Sequence, residues 1–230
     1  MTLMKLPEIF AWQQIPSLAI TDIFLSCNNF NGIILDQEHG VWDKEKLFDS
    51  IRLIRHNALI AGVRFAKPYD VHLIRNCWEM GCKYFVFSNY QHPDYLLIQG
   101  IFTTKGIGLY TGNNWNAEEE KTINDIKIIA QIEDKDTLKQ LSPQRDCYIS
   151  YFMIGMYDLS KSLGCTGNFS NPMFKKYMDI FNKQVPDRMK SIHIVYPNSK
   201  TSKYNNYGML VLGMDSTILK SGVQNICRMY

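Results

Sequence analysis

The chain has 230 residues, 46% of them hydrophobic and 20% charged, and its 25 basic and 22 acidic side chains leave a net charge of +3. That balance suits a globular domain with a sizeable core and excludes the low-hydrophobicity, high-charge pattern of a disordered chain. No block of like charges marks a nucleic-acid-binding or membrane-binding tail, so neither partner is expected.

The first twenty residues are interrupted by Glu8, Gln13 and Gln14, and no signal peptide is expected. No stretch approaches the roughly 18 consecutive apolar residues of a transmembrane helix, which leaves a cytoplasmic enzyme as the expectation. The first β-rich run is 8–12 (EIFAW). A second, 32–36 (GIILD), leads into Asp36-Gln37-Glu38-His39-Gly40, followed by Leu47, Ile51 and Ile54 at helical spacing. The third, 59–65 (LIAGVRF), puts Ile60, Gly62 and Arg64 on one face, ahead of the helical positions Leu73, Ile74, Cys77 and Met80. After a fourth run at 83–87 (KYFVF) come Gly106-Ile107-Gly108, which lack the third glycine of a dinucleotide fingerprint, and an Asn/Gly-rich loop at 112–116. The remaining runs are 126–132 (IKIIAQI), 151–155 (YFMIG), 191–195 (SIHIV) and 209–213 (MLVLG).

Eight apolar strands alternating with amphipathic helices predict an α/β chain folded as a single-domain (β/α)8 TIM barrel over residues 1–230, with an open doubly wound sheet as the alternative. The six cysteines form neither Cys-x-x-Cys pairs nor His/Cys clusters, so they read as reduced, mostly buried thiols rather than zinc ligands or a disulfide framework.

In a parallel barrel the reactive groups gather at the carboxyl ends of the strands. Gln131 and Glu133 stand two apart on one strand face. A barrel-facing glutamate needs a cation or hydrogen-bond donors, whereas a surface one merely opens the helix over 134–141. Asp158 heads DLSKSLG, where it either caps a helix or joins Glu133, from the adjacent strand, in a two-carboxylate site suited to Mg²⁺ or Mn²⁺. His39 follows a strand end, with Asp36 and Glu38 near enough to orient its imidazole, or it is a structural loop histidine. Arg64 would point into the barrel mouth, where a guanidinium suits a carboxylate or an enolate oxygen. His56, His72, His92 and His193 have no comparable setting and read as structural or solvent-exposed.

The segments GIILDQEHG (32–40), AGVRF (61–65), KGIGLY (105–110), AQIED (130–134), GMYDLSKSLGCTGN (155–168) and LVLGMDSTILKSG (210–222) resemble, in order and spacing, those of the HpcH/HpaI aldolase family. The resemblance covers most of the chain and implies a (β/α)8 barrel assembled as a homo-oligomer, a hexamer built from dimers that exchange their last helix. It implies a class II aldolase that cleaves or forms a 4-hydroxy-2-oxo acid, to or from pyruvate and an aldehyde. The implied cofactor is a divalent cation, Mg²⁺ or Mn²⁺ with Co²⁺ or Zn²⁺ as alternatives, held by Glu133 and Asp158. His39 then matches the general base, Asp36 its neighbour, Arg64 the enolate-facing arginine and Gln131 the glutamine beside the metal, with Met156 and Tyr157 against the substrate.

The sequence departs from the family at Ser88-Asn89, where a proline is common, at Lys105-Gly106, usually Arg-Gly, at Gly155-Met156, usually Gly-Pro, and in a shortened 88–105 region. These departures motivate an alternative, a divergent non-catalytic barrel acting as a binding or assembly subunit. A citrate-lyase-like thioester lyase is a third reading.

Overall fold

Each of the eight apolar runs forms a strand. The structure, a computed structural model, describes residues 6–103 and 126–228. Its strands are β1 (Glu8–Gln13), β2 (Gly32–Asp36), β3 (Ile60–Phe65), β4 (Tyr84–Phe87), β5 (Lys127–Ile132), β6 (Ile149–Ile154), β7 (Lys190–Ile194) and β8 (Met209–Leu212). Every pairing is parallel, and β1 closes on β8, so the sheet is a closed barrel in chain order. The helices are α1 (Leu18–Ser26), α2 (Lys44–His56), α3 (Val71–Glu79), α4 (Asp94–Thr103), α5 (Lys135–Gln140), α6 (Met156–Ser162), α7 (Pro172–Gln184) and α8 (Asp215–Cys227). The fold is a single-domain (β/α)8 TIM barrel, not an open sheet. The sequence features at 105–110 and 112–116 lie outside the described residues.

The strands read as continuous apolar runs because both faces are covered. One face meets the helices in a large cluster that includes Ile33, Leu35, Leu47, Ile51, Phe85 and Phe181. The other face fills the barrel with Phe10, Trp12, Ile34, Tyr84, Val86, Ile129, Met153, Met209 and Val211. Side chains alternate along a strand, so this inner row also sets which polar residues face inward further along: Asp36 after Ile34, Arg64 after Ile60, and Gln131 after Ile129.

At the amino end of the barrel Glu8 Oε2 accepts hydrogen bonds from the hydroxyls of Tyr84 (2.6 Å) and Tyr151 (3.0 Å). Burial raises both phenols above their ordinary range, so they stay protonated as donors. Helix starts are set by side chains that satisfy the orphan N–H groups of a first turn. Asp43 accepts from Lys46 N at 2.8 Å, Asp70 from Leu73 N at 3.0 Å and Asn171 from Met173 N at 2.8 Å. Among the described residues no helix is long and apolar enough to cross a membrane. Two cysteines, Cys77 and Cys82, are buried, but Cys27, Cys147 and Cys227 are exposed, which corrects the expectation of mostly buried thiols.

Candidate active site

Asp36 and Arg64 are register partners on β2 and β3, so their inward side chains start from adjacent Cα positions. The guanidinium grips the carboxylate with two bonds, Nε to Oδ1 at 2.8 Å and Nη2 to Oδ2 at 2.6 Å. Both residues are buried, Asp36 completely. A paired geometry of this kind is what makes a buried carboxylate and a buried cation tolerable. Asp36 also accepts from Trp12 Nε1 at 3.2 Å and from the main-chain N–H groups of Glu38 and His39, at 3.2 and 3.1 Å. Arg64 Nη1 reaches Glu38 Oε2 at 2.9 Å, and the Trp12 ring centroid lies 4.8 Å from Cζ. The Ser88 hydroxyl donates to the same Glu38 oxygen.

A second group stands at the ends of β5 and β6. Gln131 is buried, and its Oε1 has no hydrogen-bond donor among the described residues. Glu133 lies just past β5, half-buried. Burial raises its pKa to about 7, helped by the charges of Asp158 and Glu38 and opposed by Arg64 and by the Asn89 main-chain N–H. Both carbon and amide contacts across the turn are tight: a Cβ at Gly155 would stand 2.8 Å from Glu133 Cγ and 3.3 Å from Gln131 Nε2. The helix-start alternative for Glu133 does not apply, because Asp134 is the N-cap of α5 and accepts from the N–H groups of Asp136 and Thr137 at 2.9 and 2.8 Å. Nor is Asp158 an N-cap. Gly155 occupies that position in α6 and Asp158 lies exposed in the first turn, two residues past the half-buried Met156 and next to the exposed Tyr157.

The β4–α4 turn bridges the two groups. Asn89 adopts a left-handed φ of 45°, which suits asparagine better than most residues. Lys67 Nζ holds its carbonyl at 2.7 Å and Asp94 Oδ2 at 2.6 Å. Ser88 thereby serves Glu38 and the Asn89 N–H serves Glu133. A proline in the place of Asn89 would carry no N–H to donate.

His39 is exposed, and Asp36 binds its main-chain N–H, not its ring. The expected orientation of the imidazole by Asp36 and Glu38 is therefore corrected: both carboxylates are engaged by Arg64. His193, read from sequence as structural or solvent-exposed, lies on the inner face, its ring stacked on Trp12 with centroids 4.4 Å apart. The signal was present in the alternation of SIHIV, which puts Ser191 and His193 on one face. His56 and His72 are exposed, and His92 Nδ1 lies 3.1 Å from the buried Asp146. Trp12, Ser88 and Asn89 were also missed as site residues; parity along β1 and β4 marks Trp12 and Ser88, while nothing local marks Asn89.

Among the described residues no group of three or more His, Cys, Asp or Glu side chains forms a ready metal cage. What the carboxyl end of the barrel offers is an oxygen set, with the Glu133 and Asp158 carboxyl groups and Gln131 Oε1, which has no partner among the described residues. Hard divalent cations take such donors and keep several waters, so these residues fit Mg²⁺ or Mn²⁺.

The sequence matches no protein-family model and no curated protein. Its structure is similar to that of an HpcH/HpaI aldolase from Desulfitobacterium hafniense, with a TM-score of 0.83 at 16% identity over 97% of this chain and 92% of the other. An HpcH/HpaI aldolase/citrate lyase family protein from Burkholderia cenocepacia gives 0.78 at 15% identity, covering 96% and 93%. The citrate synthase SbnG gives 0.76 at 15% identity, covering 97% and 92%. At such identities the likeness is one of fold, and the first two neighbours bear the name of the family that the sequence motifs resemble.

Proposed function

We propose that the protein is a lyase-type enzyme that makes or breaks a carbon–carbon bond of a 4-hydroxy-2-oxo acid, with pyruvate and an aldehyde as its small-molecule partners. Glu133 and Asp158 would hold a divalent cation, Mg²⁺ or Mn²⁺, with Gln131 beside it and Met156 and Tyr157 against the substrate. The observation that carries this reading is the buried Gln131 Oε1, left without a donor among the described residues, on a side chain that packs with Glu133 against Gly155. An unsatisfied buried polar atom typically costs about 1–3 kcal/mol, so its persistence at the mouth of a barrel points to a ligand that completes it.

When bound, the cation supplies Lewis-acid stabilisation of the negative charge developing on the 2-oxo oxygen. Asp36 takes two of the five N–H groups of Arg64 in hydrogen bonds and Glu38 pairs with Nη1, which leaves N–H groups on Nη1 and Nη2 to donate to the same charge. Asp36 holds that guanidinium in place. His39, exposed on a loop whose main chain Asp36 anchors, takes the proton of the 4-hydroxyl group. The chain is further proposed to self-associate, through apolar positions of α8.

A neighbour named for the aldolase/citrate lyase family favours a second reading, a citrate-lyase-like thioester lyase; saturable binding of coenzyme A would favour it over the first. The decisive test of the first is proton–deuterium exchange at the pyruvate methyl group, followed by NMR with Mg²⁺ or Mn²⁺ and then with EDTA. Exchange that stops on chelation is the expected result. No exchange with any divalent metal would remove the lyase reading and leave a non-catalytic binding subunit as the better description.

A further inference from the structure

Strand alternation places His193 of β7 on the inner face of the barrel, and its ring stacks on Trp12 at 4.4 Å with 18° between the planes. The partner of its Nε2 is the Gly213 carbonyl at 3.0 Å. A carbonyl only accepts, so the proton sits on Nε2 and Nδ1 carries the lone pair. Gly213 itself takes a left-handed φ of 74°, and a Cβ there would stand 3.0 Å from Ile218 Cδ1, so the carbonyl that anchors the imidazole depends on glycine. On its other contacts Trp12 donates Nε1–H to Asp36 Oδ2 at 3.2 Å and lies 4.8 Å from the Arg64 guanidinium carbon. A line of contacts thus runs from the end of β8 through β7 and β1 to the ion pair on β2 and β3.

We propose that His193 is a positioning residue for Arg64, acting through the Trp12 indole. The carboxylates of Asp36 and Glu38 fix the guanidinium by its edge, and the indole lies close enough to limit its tilt. The hydrogen bond of Trp12 Nε1, at 3.2 Å, holds one edge of the indole, and the stack with His193 holds its face. Burial pushes the imidazole down to about 4, opposed by the Gly213 carbonyl, with the Arg64 charge adding to the downward shift and Asp36 opposing it. Over the neutral range it therefore stacks without adding a second cation beside Arg64.

The functional arm of the test rests on the lyase reading; the spectroscopic arm does not. In His193→Leu the methyl-exchange turnover of pyruvate is expected to fall roughly tenfold, as a small misplacement of a charge-stabilising group does, with KM changed less than twofold. His193→Phe, which keeps a flat ring, is expected to recover most of that loss. In metal-free protein the Arg64 Nε–H signal in ¹⁵N NMR should shift in His193→Leu and return in His193→Phe. The His193 ring should also titrate near pH 4, moving upward in Arg64→Ala. An unchanged Arg64 signal in a folded His193→Leu chain, or a His193 midpoint that does not move in Arg64→Ala, would overturn the proposal. If the wild-type protein exchanges no pyruvate protons, the lyase reading fails and the two NMR measurements alone decide the role of His193.

Discussion

Glu133 sits where its neutral form is favoured. Its pKa stands at about 7 against an ordinary 4.5, chiefly through burial and then through Asp158 and Glu38. Between those values the folded chain holds a proton that the unfolded chain has lost, so the stabilisation is complete below about 4.5 and is lost as pH rises through 7. At pH 8 the ionised side chain works against the metal-free fold. Glu133→Gln is therefore expected to raise the metal-free melting temperature at pH 8 by roughly 2–8 °C, on the order of 1–2 kcal/mol, while leaving it unchanged at pH 4. The same substitution should abolish the thermal shift given by Mg²⁺ or Mn²⁺. A variant that melts with the wild type at pH 8 and still responds to metal would show that Glu133 is neither strained nor a ligand.

The turn from β6 into α6 decides how much space these oxygens have. Gly155 caps the helix against Glu133 and Gln131, and the contacts leave no room for a methyl group without displacing one of them. Gly155→Ala should weaken Mn²⁺ binding at least tenfold, measured by titration, while the far-UV spectrum keeps its wild-type form; equal affinity would detach this turn from the cation site. Strand positions were legible in the sequence to within two residues, because burial on both faces writes each strand as an apolar run. The largest departure is β6, expected at 151–155 and found at Ile149–Ile154, next to a register irregularity between Ile128 and Ile129 of its partner. A bulge of this kind depends on the pairing of two strands and leaves no mark in the pattern of one.

Closure of the barrel makes its two ends unlike. Glu8, Tyr84 and Tyr151 occupy the amino end, while the carboxyl end gathers Asp36, Arg64, Glu133 and His193. The outer surface carries another asymmetry: on α8, Ile218, Leu219, Val223 and Ile226 are each more than half exposed and fall along one stripe. Such a stripe is costly on an isolated chain and suits burial against a second copy. The wild-type protein is expected to sediment as an oligomer, and Leu219→Asp combined with Val223→Asp to shift it toward the monomer. A monomeric wild type would dismiss the proposed self-association.

Alternation of apolar runs with helical spacing was enough to predict eight strand–helix units, since these patterns are properties of the chain itself, whereas closure into a barrel rather than an open sheet was decided by the pairing of β1 with β8. Parity along those runs also marked Arg64, Gln131 and Glu133 as inward-facing. Partner choice was not available there. Asp36 stands three residues from His39 in sequence, yet its oxygens face Arg64 on the next strand and only the main chain of His39. His193 meets Trp12 from the far end of the chain because closure of the sheet brings β7 near β1. Hydrogen bonds and ring stacks form between groups a few ångströms apart in space, and only the register and closure of the strands decide which groups those are.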